Sequence, residues 1–315
     1  MTNYSIIIPH KNIPELLKRC LASIPRREDV QIIVVDDKSD ETIVDFNNFP
    51  GMGEPCVETV FTKEGRGAGY ARNVGMERAT GKWILFSDAD DFFCPGLLDT
   101  LDRYKDNDAE VVVFDWLFKD SDTLETLPKY EQFISRILSG KMSANLLLSI
   151  SLASWRKMVR KEFLISHGIT FEEVTYSNDV WWSKMVAVYA QKICVSDTFL
   201  YVYTKRRGSL MMTKSPYVMW YRYCVARNTA KVLQSMGKEE HLSRNRWGWE
   251  FREFGYKYYI HYFAHALHDG MLIQPRKARK LYQQAGGYYK YPFLYAIAPL
   301  FISPTMKKFI KMLIR

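Results

Sequence analysis

Apolar residues fall along the first 120 positions in two alternating rhythms. The runs "YSIIIP" (4–9), "QIIVVDD" (31–37), "CVETVFT" (56–62), "KWILFSD" (82–88) and "EVVVFDWLF" (110–118) each suit a buried strand. Between the first two, Ile13, Leu16, Leu17, Cys20, Leu21 and Ile24 recur at a helical period. Asn12 is the expected N-cap of that helix, with Pro14 in its first turn and Glu15 three residues after the cap. "GYARNVGMERATG" (69–81) reads as a second helix, stopped by Gly81. Strand, helix, strand in this order predicts a mostly parallel α/β sheet. Ligands of such sheets bind beyond the carboxyl ends of the strands.

The pattern then changes. "EQFISRILSGKMSANLLLSISLASWRKMVRKEFLISHGI" (131–169) reads as mostly helical and "WWSKMVAVYAQKI" (181–193) as an amphipathic helix. "CVSDTFLYVYTK" (194–205) returns to strand, and beyond about residue 210 the chain is helical, aromatic and basic. The expected organisation is a domain over 1–210 followed by a helical region over 211–315.

Composition narrows the class. The 315 residues are 47% hydrophobic and 25% charged, an ordinary globular balance, with a formal net charge of +9. The N-terminus has no charged n-region and too short an apolar run for a signal peptide. No segment approaches the roughly 20 apolar residues of a membrane span. Five scattered cysteines argue against a disulfide framework or zinc cluster and for a reducing cytosol.

Against the positive net charge, one strand end is densely acidic: "ILFSDADD" carries Asp88, Asp90 and Asp91. Carboxylates two residues apart can face one hard cation and its phosphate ligand, as magnesium and manganese sites do. A turn or cap role is the alternative, and Asp91 is expected to cap the helix that "PGLLDTLDRY" (95–104) begins. Asp36 and Asp37 end the second strand, with Asp40 capping the next helix. Two acidic strand ends on one sheet edge repel each other unless a cation or ligand offsets the charge.

The ordered series "YSIIIPHKN", "IIVVDDKSD", "GAGYARNVGMERATGKWILFSDADD", "LASWRKMVRKEFLISHGITF", "YSNDVWWSKMVAVYAQKI" and "YVYTKRRGSLMMT" resembles a family 2 glycosyltransferase of the bacterial surface-polysaccharide type. The match spans about the first two-thirds of the chain. The resemblance implies a GT-A fold, with the helical C-terminal region as an extension. It also implies a nucleotide-diphosphate sugar donor, a divalent metal (Mn2+ or Mg2+), and inversion at the anomeric carbon. Position by position, Asp37 matches the residue that contacts the nucleobase, usually uracil, and Pro9 lies in the first-strand loop bordering the base. Arg72 matches a basic residue near the nucleotide-sugar. Asp88 and Asp90 match the outer residues of the family's Asp-x-Asp motif, which implies Asp88 near ribose and metal and Asp90 as the more direct metal ligand, and Asp179 matches the catalytic base. Arg206 and Ser209 match a loop that closes on the diphosphate. For Asp179 a helix N-cap is the structural alternative, and the two roles are compatible.

Three positions depart from the family pattern. His10 and Lys11 stand where an aromatic residue usually stacks on the base. Asn178 replaces the usual acidic neighbour of the base, which relieves Asp179 of a like charge and is expected to lower its pKa. Thr204 stands where many relatives carry arginine, shifting diphosphate contacts to Arg206 with Lys205 or Arg207.

Other signals carry less. "GRGAG" (65–69) lacks the Lys-Ser/Thr of a P-loop and reads as a flexible turn before a helix. His261, His265 and His268 share a helix face without a carboxylate or cysteine to complete a metal set. The aromatic stretch 247–267 brings no nucleic-acid motif with it. "RKARK", "YPFLYAIAPLFI" and "TMKKFIKMLIR" suit either an anionic membrane interface or a helix docked on its own domain. The family resemblance favours the membrane. The expectation is an enzyme at the cytoplasmic face of a bacterial membrane. It would move a hexosyl or N-acetylhexosaminyl group from a UDP-linked donor to a glycan acceptor such as lipid-linked capsule, O-antigen or lipopolysaccharide. The competing readings are a catalytically silent partner in glycan assembly and a nucleotidyltransferase of related fold.

Overall fold

The computed structural model describes residues 2–128, 133–206, 208 and 209, with 222, 225, 228, 229 and 232–238 beyond them. The chain divides into two compact units, Met1–Met212 and Thr213–Arg315. In the second, the described residues include a helical stretch over 232–235. The aromatic stretch, the three spaced histidines, Cys224, Arg207 and the basic C-terminal segments lie outside the described residues.

The first unit alternates strands and helices from its start. β1 (Tyr4–His10), α1 (Pro14–Ala22) and β2 (Val30–Asp36) lead through a 3-10 turn (Phe46–Asn48) to β3 (Val57–Phe61) and α2 (Ala68–Arg78). Next come β4 (Trp83–Phe86), β5 (Phe92–Phe93), α3 (Leu97–Asp102) and β6 (Val111–Asp120). α4 (Phe133–Leu138), α5 (Ala144–Ile150), β7 (Lys157–Arg160), α6 (Lys161–Ser166), α7 (Asp179–Tyr189) and β8 (Ile193–Lys205) complete it. The eight strands form one sheet in the order β3-β2-β1-β4-β7-β6-β8-β5. β1 pairs in parallel with β2 and β4, β2 with β3, and β6 with β8, while β7 and β5 run antiparallel to their partners. This is the mixed, mostly parallel α/β sheet that the sequence predicts.

The strand runs are apolar because both faces are covered. On one face, Ile6, Ile8, Val34 and Leu85 join Leu17, Cys20 and Leu21 of α1 in the core. On the other, α2 lies so close to β1 that a Cβ on Gly75 would come within 2.3 Å of Ile7 Cγ2.

Several local expectations need correction. β7 lies within the stretch read as helical: "KMVR" is too short to show a strand period, and its position between β4 and β6 is a tertiary fact. Asn12 does not cap α1. The N-cap is Ile13, and Asn12, with φ +59°, accepts a hydrogen bond from Asp40 N–H instead. Asp40 caps a turn rather than a helix, accepting from the Thr42 N–H and hydroxyl. Gly81 does not stop α2, which ends at Arg78 with Ala79 as its C-cap. It lets the chain pass β1, since a Cβ there would sit 2.5 Å from Ser5 N. Pro9 belongs to β1 itself, buried and paired with Val35, not to a loop. The β1–β4 register ends at Ile7 and Phe86, so a residue without an N–H is tolerated just past it.

Candidate active site

The acidic end of β4 is held by hydrogen bonds from β8 and α1. Tyr201 on β8 accepts the Asp88 N–H at 2.9 Å and donates its hydroxyl to Asp91 Oδ2 at 3.0 Å. Thr204 donates its N–H to Asp91 Oδ1 at 2.6 Å and its hydroxyl to the Asp90 carbonyl at 2.8 Å. Arg19 of α1 donates to the same carbonyl at 2.6 Å and to the Ser121 carbonyl at 2.8 Å. Asp91 is therefore not a helix cap. It is fully buried, and α3 starts after Gly96 with no side-chain cap. Burial, with the charges of Asp90 and Asp88, pushes its carboxyl well above the usual range, against the pull of Thr204 and Tyr201.

Asp88 and Asp90 face outward from that turn. Asp88 Oδ1 accepts from Arg72 Nη2 at 2.5 Å, and Asp90 Oδ2 accepts from Arg206 Nε at 2.8 Å. Their side chains are 31% and 22% exposed. Burial raises the Asp88 carboxyl, the Arg72 charge opposes that, and Asp90 adds to it. Each carboxylate keeps its second oxygen free of hydrogen bonds among the described residues. No group of three His, Cys, Asp or Glu that could enclose a metal occurs among the described residues. The donor set nevertheless fits a hard cation of the manganese or magnesium kind, which takes one or two carboxylates and fills its shell with phosphate oxygens and water.

Asp179 is the first residue of α7, where unpaired helix N–H groups favour a negative charge. Burial nevertheless raises its carboxyl; Arg72 opposes the rise, Asp88 adds to it, and Lys157 opposes it more weakly. Asn178 spares Asp179 the like charge of an acidic neighbour, and the rise that remains comes first from burial. One turn along α7, Ser183 donates to the Leu152 carbonyl at 2.6 Å. Lys157 of β7 is fully buried and donates to the Ser151 and Ala153 carbonyls, both at 2.7 Å. Burial holds its ammonium well below the usual lysine range. Together Ser183 and Lys157 gather three successive carbonyls, 151 to 153, against the helix that carries Asp179. Lys184, its Nζ on the Ser149 carbonyl, is pushed down to about 8 by burial.

The end of β2 is arranged differently. Asp36 accepts His10 Nδ1 at 2.8 Å and the Ser39 N–H at 2.9 Å. Burial would raise its carboxyl, but the hydrogen bonds from His10 and Ser39 together hold it below the usual range. Ile13 N–H donates to His10 Nε2 at 3.2 Å, which assigns His10 as the neutral Nδ1–H tautomer. Asp37 is 3% exposed, and its two oxygens accept the N–H groups of Arg66 and Gly67 at 2.9 and 2.8 Å. Lys11 Nζ lies 3.4 Å from Asp37 Oδ2. The glycine-rich segment is thus pinned by Asp37 rather than loose, and Gly67, with φ +96°, turns the chain into α2.

The structure pairs Asp88 with Arg72 and Asp90 with Arg206, and Arg72 also touches Asn178, the residue before Asp179, at 2.6 Å. Pro9 and Asp37 lie at the neighbouring strand ends, and Ser209 follows Arg206 after β8. Sequence reading missed Tyr201, Arg19 and Lys157. Their partners are backbone and side-chain groups brought near by folding, and a tyrosine in a strand or an arginine in an amphipathic helix carries no local signal of that.

A family model described as Glycosyl transferase family 2 matches residues 5–167. The glycosyltransferase GlyG of Streptococcus pneumoniae is 26% identical over 229 residues, covering 67% of this chain and 73% of GlyG. The structure of S. aureus TarS 1-349 in complex with UDP-GlcNAc matches with a TM-score of 0.56 at 20% identity, over 84% of this chain and 80% of that one. A mannosyltransferase of Pyrobaculum calidifontis, solved with GDP-Man and Mn2+, matches with a TM-score of 0.55 at 16% identity, over 98% and 84% of the two chains.

Proposed function

The chain belongs to glycosyl transferase family 2, and on that premise we propose that it is an inverting, metal-dependent enzyme using a UDP-linked sugar. Its acceptor is a growing bacterial surface glycan, and the group moved is hexosyl or N-acetylhexosaminyl. The observation that carries this reading is the carboxylate pair Asp88 and Asp90, each with one oxygen on an arginine and one free. The free oxygens would hold Mn2+ or Mg2+, and the bound cation offsets the charge that grows on the departing diphosphate. Similar structures holding UDP-GlcNAc, or GDP-Man with Mn2+, support the donor and metal classes.

Around that pair each residue has a distinct task. Arg206, with Ser209 beyond it, borders the diphosphate from the β8 side. Pro9 and Asp37 frame the nucleobase, Asp37 chiefly through the Arg66–Gly67 segment it holds. Asp179 accepts the proton of the acceptor hydroxyl as that oxygen attacks the anomeric carbon opposite the leaving diphosphate, which inverts the centre. A carboxyl raised by burial is a stronger base than an exposed aspartate.

Incubation with a panel of nucleotide sugars and manganese tests the reading. It expects metal-dependent UDP release that Asp90→Ala abolishes; no release with any donor overturns it. Among the described residues no helix is long and apolar enough to cross a membrane. Residues 291–315 lie outside the described residues, and their basic and apolar pattern suits an anionic bilayer surface at the cytoplasmic face. Deleting them should abolish binding to anionic liposomes, and unchanged binding would remove the membrane from the proposal.

A further inference from the structure

The geometry points to Arg72 and Asn178 as positioning residues that fix the spacing between the metal carboxylate and the base. The inference rests on the roles proposed for Asp88 and Asp179. One guanidinium spans the two halves of the site: Nη2 donates to Asp88 Oδ1 at 2.5 Å and Nη1 to Asn178 Oδ1 at 2.6 Å. Its carbon stands 5.3 Å from the centre of the Phe171 ring, and the side chain is 7% exposed. Both ends of the fork are committed to protein acceptors. A planar, rigid donor set of this kind holds two acceptors at a fixed separation in a way that a flexible ammonium does not.

The surrounding contacts make the tie stiff. Asn73, the next residue, accepts the Phe171 N–H at 2.8 Å and donates to the Phe171 carbonyl at 3.0 Å. Gly69, one turn earlier, lets α2 press onto the same segment. A Cβ there would lie 2.1 Å from the Glu172 carbonyl oxygen and 3.0 Å from Asn178 Cβ. Gly69, Arg72 and Asn73 thus seat the 171–178 segment, which leads directly into Asp179, against the helix whose arginine holds Asp88. In-line transfer requires the attacking oxygen, the anomeric carbon and the leaving oxygen to fall on one line, so this spacing is a catalytic dimension. Asn178 adds a second consequence. As a neutral acceptor it orients the guanidinium without cancelling its charge, so Asp88 remains the only carboxylate hydrogen-bonded to Arg72 among the described residues.

The test separates positioning from donor binding in the full-length chain. UDP–Mn2+ affinity is measured by calorimetry, and kcat and KM by UDP release from the UDP-sugar that the wild type turns over fastest. For Asn178→Ala the expectation is affinity within about twofold of wild type and a kcat lower by on the order of 100-fold, the cost of a misplacement near 1 Å. Asn178→Asp, which keeps an oxygen for Arg72 but puts a charge beside Asp179, should recover much of that kcat at a pH above its raised acid limb, whereas Arg72→Lys, which cannot bridge both partners, should not at any pH. An unchanged kcat in Asn178→Ala, or a loss confined to donor KM and UDP–Mn2+ affinity, overturns the inference. Asp179→Asn is the independent arm: wild-type turnover there removes the base assignment itself. Absence of turnover by the wild type with every UDP-sugar removes the reading on which both depend.

Discussion

Tyr201 and Asp91, 110 residues apart, meet in the core, the phenol donating to the buried carboxylate at 3.0 Å while accepting the Asp88 N–H. That hydroxyl joins strand β8 to the turn that presents Asp88 and Asp90. Tyr201→Phe leaves a buried N–H and a carboxylate oxygen unpaired, each costing about 1–3 kcal/mol. The expected outcome is a clearly lower Tm together with weaker Mn2+–UDP binding, read by thermal unfolding and calorimetry. Unaltered metal binding would mean that the phenol supports the fold without setting the turn.

The raised carboxyl of Asp179 makes two pH signatures. The base must be ionised to act, so the acid limb of kcat/KM, which reports the free enzyme, should lie above the ordinary aspartate value of about 3.9. Asn178→Glu adds a negative charge beside it and gives Arg72 a second carboxylate, so the limb should move higher still. A pH–rate profile of both proteins reads this directly.

Stability should show the opposite side of the same shift. A carboxyl whose folded pKa exceeds its unfolded value holds its proton more tightly when folded. Ionising it therefore costs stability: nothing below the unfolded pKa, a growing amount as pH rises, and the full amount above the folded pKa. Asp179→Asn should accordingly melt at a higher temperature than wild type at neutral pH, with the difference vanishing toward pH 3. A Tm series across pH reports it, and a variant less stable than wild type at neutral pH would contradict it.

Gly69→Ala tests the close approach of α2. The obstacle is a backbone carbonyl, which cannot rotate away as a side chain can. Overpacking of this kind costs about 1–3 kcal/mol. A lower Tm and a kcat loss resembling that of Asn178→Ala are expected, with UDP–Mn2+ affinity less affected.

Arg206 occupies one Asp90 oxygen at 2.8 Å. Arg206→Met should free that oxygen and remove a positive charge near the cation. Bare Mn2+ should then bind more tightly, as followed by its electron paramagnetic resonance signal. UDP–Mn2+ should bind more weakly if Arg206 borders the diphosphate as proposed, and unchanged UDP–Mn2+ affinity would remove that role.

The sequence by itself determined much of this protein. β-branched runs at regular spacing, interleaved with a helical period, dictate buried strands joined by helices, and acidic residues at the ends of two of them mark the edge at which ligands of such sheets bind. Pattern is enough there because burial on both faces demands apolar side chains and a sheet edge tolerates polar ones. The triplet Asp88, Asp90, Asp91 shows where pattern stops. Three like residues in one short turn have the same local signal. Yet the turn directs two toward arginines and solvent and the third into the core against Tyr201 and Thr204. Likewise β7 was invisible, its four residues being too few to show a period, and Lys157 within it reads as surface until two carbonyls and the Ser183 hydroxyl close around it. Only the tertiary structure decided which carboxylates are free, which glycine permits contact and which arginine spans the site. Those outcomes depend on groups 16 to 116 residues apart, whose distances no local propensity encodes.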